Sequence, residues 1–260
     1  MILEDLFEIR NSNQVGKLSD EQVDRLKYVL EQINIGVPLQ YAVEVAHFYG
    51  RRFKVTKDVL IPRPETEELV YYALEAKGEG REKKLSVIDI GTGSGCIAIT
   101  LKKEAPTWLV SAIDISLGAL EIATENAKSL EANIEFLADD ITNVKQQKIS
   151  EGLWDIIISN PPYISESELG QMDQHVISHE PHLALFPENG SPKEMYAAIL
   201  LYGRRALKKD GIICLELNEY MSSEIKNIAG NHGFQKTRVI KDLQGKDRIL
   251  IAGQVLENTC

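Results

Sequence analysis

The stretch "VIDIGTGSGCIAI", Val87–Ile99, decides the fold of this 260-residue chain. An apolar, strand-like run ends in a turn with three glycines, and a second apolar run opens directly after it. Glycine lets a backbone turn tightly and approach a ligand closely, so the stretch predicts a strand, a ligand-binding loop and a helix. Dinucleotide-binding loops place a third glycine three residues after the second, where this chain has Cys96. A dinucleotide is therefore not the favoured ligand.

Two acidic residues sharpen the interpretation of this loop. Asp89 lies two residues before Gly91, where a carboxylate suits a ligand with a cationic head and disfavours a pyrophosphate. Asp114 ends the next apolar run, "VSAIDIS", and is placed to accept both hydroxyls of a ribose. The simpler alternative is that Asp114 caps a helix and the glycines form an ordinary turn.

The segments that follow alternate between strand and helix patterns. Apolar runs occur at "LSVIDI", "WLVSAIDI", "IEFLA", "WDIIIS" and "GIICLEL", with helical stretches such as "LGALEIATENAKSL" and "KEMYAAILLYGRRAL" between most of them. This alternation predicts a parallel sheet covered on both faces. The last two runs, "KTRVIKDL" and "DRILIAG", are separated by a short turn and predict an antiparallel pair at one edge.

The segments before the glycine loop predict helices and a hairpin. Ser19 opens a capping-box pattern, and apolar residues then recur at helical spacing until Gly36, with a further short helix possible at the very start. "HFYGRRFKV" predicts a short hairpin. A later helix is predicted to begin at Pro64 and to be closed by Gly78 and Gly80.

Charge and cysteine content exclude several classes of protein. The net charge is -10, which disfavours broad binding to nucleic acid or anionic membranes. Cys96, Cys214 and Cys260 are far apart, which suits a reducing compartment and argues against a disulfide framework or a cysteine zinc site. The start has no signal-peptide pattern, and no apolar run reaches membrane-spanning length. We therefore expect a soluble, cytoplasmic protein.

The glycine loop with its two carboxylates resembles the class I S-adenosylmethionine-dependent methyltransferases. The resemblance implies an α/β, Rossmann-like fold with a mostly parallel seven-stranded sheet, an antiparallel C-terminal edge and a short helical N-terminal segment. It also implies S-adenosylmethionine as cofactor and S-adenosylhomocysteine as product. In that family the third strand ends at the adenine, which here points to Asp139 or Asp140 without separating them. The implied cofactor-binding residues are Asp89, Gly91, Thr92, Gly93, Ser94, Gly95, Asp114, Asp139, Asp140 and Asn160.

The segment "NPPY", Asn160–Tyr163, follows the fourth apolar run and resembles the motif of methyltransferases that act on planar nitrogens. Such a nitrogen is a poor nucleophile, and hydrogen-bond acceptors for its two N–H groups would hold it in place. The side-chain carbonyl of Asn160 and the main-chain carbonyl of Pro161 are candidate acceptors, and the prolines remove two N–H donors. Tyr163 can stack on a flat substrate group. A loop that merely ends a strand is the simpler alternative.

Three further stretches resemble the glutamine methyltransferases of peptide chain release factors, the HemK/PrmC family. They are "LIPRPETEE" within residues 38–70, "ISHEPHLALF" and "GKDRILIAG", and the resemblance spans roughly residues 36–253. It implies methylation of the glutamine amide in the Gly-Gly-Gln tripeptide of a release factor, with Asn160, Pro161, Pro162 and Tyr163 holding that glutamine. Arg63 and Thr66 would lie near the mouth of the site, in a role the sequence does not assign.

The resemblance also implies a division of the chain and two departures from the family. Residues 1–58 would form a helical and hairpin segment that binds the partner, and residues 59–260 the methyltransferase domain. The family has a larger N-terminal helical domain than the segment before Gly36, and it tends to have glycine where this chain has Glu44.

Other functions compete with this one. A DNA or RNA amino-methyltransferase would share the "NPPY" chemistry but would need a basic target-recognition surface, and a cofactor-binding module without catalysis would not need Asn160. His175, His179 and His182 have a spacing open to a metal site, but Pro181 interrupts any shared helical face, so we expect none. Cys96 is expected to be a small packed residue and not a reactive thiol.

Overall fold

A computed structural model describes residues 2–9, 18–76, 82–143, 152–165, 178–187 and 191–253. Its helices are α1 (Ile2–Phe7), α2 (Asp20–Asn34), α3 (Leu39–Val43), α4 (Pro64–Ala76), α5 (Cys96–Glu104), α6 (Leu117–Ser129), α7 (His182–Leu185), α8 (Pro192–Ala206) and α9 (Ser222–Asn231). Its strands are β1 (Val45–Phe48), β2 (Arg51–Lys54), β3 (Ser86–Ile90), β4 (Leu109–Asp114), β5 (Glu135–Ala138), β6 (Trp154–Ser159), β7 (Leu207–Glu216), β8 (Lys236–Lys241) and β9 (Asp247–Gly253). A short 3-10 turn covers Ile141–Asn143.

Seven of these strands form one sheet in the order β5-β4-β3-β6-β7-β9-β8. The first five are parallel, whereas β9 lies antiparallel between β7 and β8. The sequence-based fold is thus confirmed, including the antiparallel edge. The strand order reverses at β3, so the loops after β3 and β6 diverge and leave a crevice at the carboxyl ends of the strands.

Strand β6 shows why the parallel strands of this sheet have continuous apolar sequences. Ile156 and Ile158 pack in the core on one face, and Ile157 packs in the core on the other. All three are fully buried. Helices cover both faces of a parallel sheet, so both sets of alternating side chains must be apolar. The buried strands in turn fix where their carboxyl ends lie.

The N-terminal segment packs on the sheet through its hairpin, since Phe48 and Phe53 lie in the same buried cluster as residues of β3 and β6. The predicted capping box is present, with the Gln22 amide donating to Ser19 Oγ at 3.2 Å and the Ser19 amide donating to Gln22 Oε1 at 3.0 Å. The predicted hairpin is β1 paired with β2. Glu44 has φ 60° and ψ 28°, a left-handed conformation that costs a non-glycine residue about 1–2 kcal/mol. Glycine, which the sequence resemblance leads us to expect here, would adopt this conformation without that cost.

Other expectations can be scored only within the described residues. Helix α1 is the short helix expected at the start, and α4 begins at Pro64 as predicted. Gly78 and Gly80 lie outside the described residues. No helix in the described ranges combines the length and apolar character needed to cross a bilayer.

Candidate active site

A cavity of about 380 Å³ opens at the carboxyl ends of the parallel strands. It lies between the loops after β3, β4, β5 and β6, with further walls from the segment before α4 and from α7. The predicted site residues that line it are Gly91, Thr92, Gly93, Ser94, Asp114, Asp139, Asp140, Asn160, Pro161 and Pro162, together with Arg63 and Thr66. The fold therefore brings residues predicted from separate motifs to one cavity.

Two glycines of the loop after β3 leave space for a ligand. Gly91 and Gly93 have φ of 71° and 55°, and a Cβ built on either would meet no atom within 4 Å. A side chain here would project into open space against the cavity, besides being strained at positive φ. Gly95 is different, because a Cβ there would meet Ile99 at 3.0 Å and Ala123 at 3.2 Å. Gly95 does not line the cavity, and the absence of a side chain at Gly95 lets α5 and α6 pack closely.

The Asp114 carboxylate is held by the backbone on both of its oxygens. The Gly93 amide donates to Oδ2 at 2.8 Å, and the Ser116 amide donates to Oδ1 at 2.9 Å. Burial raises the pKa of this carboxyl, and the backbone donors oppose that rise. Each oxygen of an ionised carboxylate has two lone pairs, so the fixed group can still accept from a bound diol.

Asp89 lies beneath the glycine loop and does not line the cavity. Its Oδ2 accepts a hydrogen bond from the Thr92 hydroxyl at 2.6 Å, while its buried Oδ1 has no hydrogen-bond partner among the described residues. Burial raises the pKa of the Asp89 carboxyl to about 7. A cation bound in the loop above would offset this unfavourable burial, so the site suits a ligand with a positive charge.

The two candidate adenine contacts after β5 both line the cavity but differ in local structure. Asp139 Oδ1 accepts from the Asp140 amide at 2.8 Å. The Asp140 carboxylate accepts from the Thr142 amide, the Thr142 hydroxyl and the Asn143 side chain, all within 2.8 Å. Asp140 therefore caps the 3-10 turn, and which of the two reaches a ligand stays a prediction.

At the end of β6, a chain of hydrogen bonds holds Asn160. Its Nδ2 lies 3.2 Å from Thr66 Oγ1, and the Thr66 hydroxyl donates to Glu216 Oε2 at 2.7 Å. The Tyr163 hydroxyl donates to the other oxygen, Glu216 Oε1, at 3.1 Å. Glu216 and Thr66 are only 1% and 2% exposed. Tyr163, predicted to cover the substrate, does not line the cavity, because its hydroxyl is turned inward to Glu216.

The cavity wall includes an ion pair between the partly exposed Arg63 and the buried Glu180. Arg63 Nη2 lies 2.5 Å from Glu180 Oε1, and the Glu180 side chain is 2% exposed. Glu180 Oε2 is buried with no hydrogen-bond partner among the described residues. Both Arg63 and the residues just after Glu180 line the cavity. The pair thus joins the "PRPETEE" and "ISHEPH" stretches at one place.

The remaining sequence candidates have structural explanations or lie outside the described residues. His175 is not described, and the His182 ring stacks beside Phe186 at a centroid distance of 4.6 Å. In the ranges that the structure covers, no group of histidine, cysteine or acidic side chains has the arrangement of a metal site. Burial raises the pKa of the Cys96 thiol to about 12, so it is a packed residue and a poor nucleophile.

Comparison with known proteins identifies the family. The family model "Methyltransferase small domain" matches residues 69–191. Proteins named release factor glutamine methyltransferase are 41% identical in Enterococcus faecalis, over 91% of this chain and 83% of theirs, and 39% identical in Lactococcus lactis, over 95% and 94%. The chain belongs to the release factor glutamine methyltransferase family. The Bacteroides thetaiotaomicron member is 39% identical over 88% of this chain and 80% of its own.

Solved structures support the fold of this family member. A methyltransferase from Pyrococcus furiosus superposes with a TM-score of 0.57 at 17% identity, covering 89% of this chain and 99% of its own. A Thermus thermophilus 16S rRNA methyltransferase, solved with AdoMet and guanosine, also gives 0.57 at 15% identity, over 81% of this chain and 50% of its own. At these identities the likeness shows the fold alone.

Sequence reasoning missed Glu216 and Glu180 in this glutamine methyltransferase family member. Glu216 ends β7 and, in the sequence, stands within the apolar run "GIICLEL". A carboxylate at the end of a buried parallel strand is a usable signal, because it lies at the edge where ligands bind. Glu180 falls in "ISHEPH", which carried the resemblance but no assigned role.

Proposed function

We propose that the protein transfers a methyl group from S-adenosylmethionine to the side-chain amide nitrogen of the glutamine in the Gly-Gly-Gln tripeptide of peptide chain release factors. The names of its relatives support the reaction and the partner. The observation that carries the proposal is the meeting of the "NPPY" segment and the glycine loop in one cavity. The amide nitrogen gains a methyl group and releases one of its two protons, and S-adenosylhomocysteine is the other product.

The cofactor half of the cavity fits this role. The open space above Gly91 and Gly93 would take the ligand backbone, and Asp114 would accept the ribose hydroxyls. Asp89 would compensate positive charge from below the loop, through a buried oxygen that has no hydrogen-bond partner in the part of the chain that the structure describes. Thr92, Ser94 and Gly95 complete the predicted loop, and Asp139 or Asp140 would meet the adenine. When bound, the cofactor supplies a methyl group on a positively charged sulfonium.

The substrate half of the cavity fits a planar amide. The lone pair of an amide nitrogen is delocalised, so the nitrogen must be held with both N–H groups directed to acceptors. Asn160 would accept one N–H through Oδ1, and the Pro161 main-chain carbonyl would accept the other. Pro161 and Pro162 present no N–H that could compete for these acceptors. No base is needed before transfer, because the nitrogen is neutral and the methyl donor is cationic.

A parallel assay separates this function from its alternatives. Tritiated S-adenosylmethionine is offered with whole release factor, with the same factor carrying alanine for the glutamine, and with duplex DNA and RNA. We expect label only in the unaltered release factor. Label in nucleic acid would instead support an amino-methyltransferase of adenine, and cofactor binding without any transfer would support a binding module.

We also infer that residues 1–58 form a segment that binds the partner, ahead of a methyltransferase domain over residues 59–260. Helices α2 and α3 share a small core of their own around Val29, Ala42 and Val43. Apolar side chains remain outside it, since Ile35 is 71% and Tyr28 49% exposed. The cavity can contact only a few atoms of the tripeptide, so most of the affinity for a folded partner must come from another surface.

The partner surface is tested by replacing exposed side chains and leaving the small core intact. We expect Ile35→Ser with Tyr28→Ser to raise the KM for release factor several-fold and to leave kcat unchanged. Leu109→Ser is the matched control, because Leu109 is 50% exposed at the amino end of β4 and lies outside residues 1–58. An unchanged KM, or equal turnover on a short Gly-Gly-Gln peptide and on the whole factor, would contradict the inference.

A further inference from the structure

We propose that Thr66 and Glu216 are positioning residues, which fix the side-chain amide of Asn160 with its carbonyl oxygen toward the substrate. This rests on the proposed function of the same site. An asparagine amide has a donor end and an acceptor end of nearly equal size, so packing alone does not choose between them. Transfer to an amide nitrogen requires the acceptor end, because the substrate itself supplies the N–H groups.

The hydrogen bonds around Thr66 make that choice. A hydroxyl has one proton, and the Thr66 hydroxyl uses it to donate a hydrogen bond to Glu216 Oε2 at 2.7 Å. Thr66 Oγ1 can then only accept, so its neighbour at 3.2 Å must be the Nδ2 of Asn160. With Nδ2 held in this way, Oδ1 is the end left for the substrate.

The neighbours of Glu216 keep its oxygens acting as acceptors. The Tyr163 hydroxyl donates to Oε1 at 3.1 Å, and burial raises the pKa of Tyr163, so this hydroxyl keeps its proton. Burial raises the pKa of the Glu216 carboxyl, and the hydrogen bond from Thr66 and the nearby Arg248 guanidinium oppose that rise. The main-chain carbonyl of Glu216 accepts from Tyr196 at 2.8 Å, which holds the end of β7 in place.

The position of Glu216 argues against a direct part in the reaction. Thr66 and Asn160 line the cavity, and Glu216 does not. With Glu216 1% exposed and Thr66 2% exposed, bulk water does not compete for their hydrogen bonds. A buried hydroxyl without a hydrogen-bond partner costs free energy, so turning the Asn160 amide around, which would break its bond to Thr66, is unfavourable.

Thr66→Val removes the hydroxyl and keeps the shape, and Thr66→Ser is its matched control. We expect Val to lower kcat on release factor about tenfold or more, with the KM for release factor and the Kd for S-adenosylhomocysteine within about threefold of wild type. Ser should restore kcat to within about threefold. A Val variant with wild-type kcat, or a Ser variant as slow as Val, would overturn the proposal.

A double-mutant cycle asks whether Thr66 acts through Asn160. In an Asn160→Ala background, Thr66→Val should lower kcat by less than about a further twofold, because the side chain that Thr66 positions is gone. Losses that multiply would overturn the proposal. The kcat of Glu216→Gln on release factor should lie between those of wild type and Thr66→Val, since an amide can accept from Thr66 in only one of its two orientations. A loss deeper than that of Asn160→Ala would make Glu216 a proton acceptor and not a positioning residue.

A spectroscopic measurement separates this proposal from the proposed function. In ¹⁵N-labelled protein, the side-chain amide signals that vanish in Asn160→Ala belong to Asn160. Thr66→Val should shift these signals and speed their exchange with water, and Thr66→Ser should not. Unchanged signals in Thr66→Val would overturn the positioning role even if release factor is methylated. Changed signals in a protein that methylates no release factor would support the positioning role and refute the function.

Discussion

The two halves of the cavity hold their polar side chains in different ways. On the cofactor side, Asp114 is fixed by backbone amides only 21 and 2 residues away along the chain. On the substrate side, Asn160 depends on Thr66, 94 residues away, and Thr66 depends on Glu216, 150 residues away. The hydrogen bonds to Asp114 come from the glycine loop and from the residues directly after β4. The hydrogen bonds around Asn160 form only when α4 and the end of β7 pack beside the end of β6.

This difference separates binding from transfer. The cofactor half would accept fixed hydroxyls and compensate a charge, which are interactions made in the ground state as well as in the transition state. The substrate half would align a nitrogen that becomes nucleophilic only as the methyl group arrives, so its contribution is larger in the transition state. Substitutions in the first half should therefore change affinity, and substitutions in the second should change turnover.

Asn160→Ala should have the largest effect. We expect turnover on release factor to fall about a hundredfold or more, because positioning effects of this kind are worth several kcal/mol. Cofactor affinity, measured by calorimetry, should stay within a few-fold. Asn160→Asp keeps an acceptor oxygen and should retain partial activity. Wild-type turnover in both variants would mean that the "NPPY" segment only ends a strand.

Asp114→Ala should produce the reverse pattern. Loss of the carboxylate leaves buried ribose hydroxyls unpaired, so binding of S-adenosylhomocysteine should weaken by about 1–3 kcal/mol. Turnover at saturating cofactor should change far less. Asp114→Asn is the matched control and should lose less affinity, because an amide keeps one acceptor oxygen. Unchanged affinity in Asp114→Ala would place the ribose elsewhere.

Asp89 gives a smaller effect that depends on pH. Its pKa is raised from 3.8 to about 7 in the folded protein, so its protonated form favours folding at low pH, and that contribution is lost as the pH rises through about 7. Asp89→Asn should not lose stability in this way, because an amide does not ionise. Its Tm should therefore rise relative to wild type between pH 4 and pH 8, by an amount on the order of 5 °C.

The control for Asp89 is Glu121→Gln, which neutralises an exposed carboxylate on α6. Its Tm difference from wild type should stay nearly flat over the same range, since exposed charges contribute little to stability. A pH-independent difference for Asp89→Asn would show that the buried carboxyl titrates with an ordinary pKa.

The same contrast explains what the sequence could reveal. The glycine loop and Asp114 are predictable because one strand, one turn, one helix and the next strand follow each other in the chain. The sequence does not separate Asp140 from Asp139, because capping of the 3-10 turn by Asp140 depends on the local backbone path. The sequence assigns no role to Thr66 or Glu216, because their contact joins α4 to the end of β7. Only the packed sheet brings such distant residues together.

Localising the methyl group by mass spectrometry tests the central claim most directly. Whole release factor is incubated with S-adenosylmethionine bearing a deuterated methyl group and with wild-type protein or Asn160→Ala, at cofactor concentrations that saturate both. The account predicts one deuterated methyl group, on the side chain of the Gly-Gly-Gln glutamine, with wild-type protein and almost none with Asn160→Ala. A methyl group on any other residue, or equal labelling by the two proteins, would contradict it.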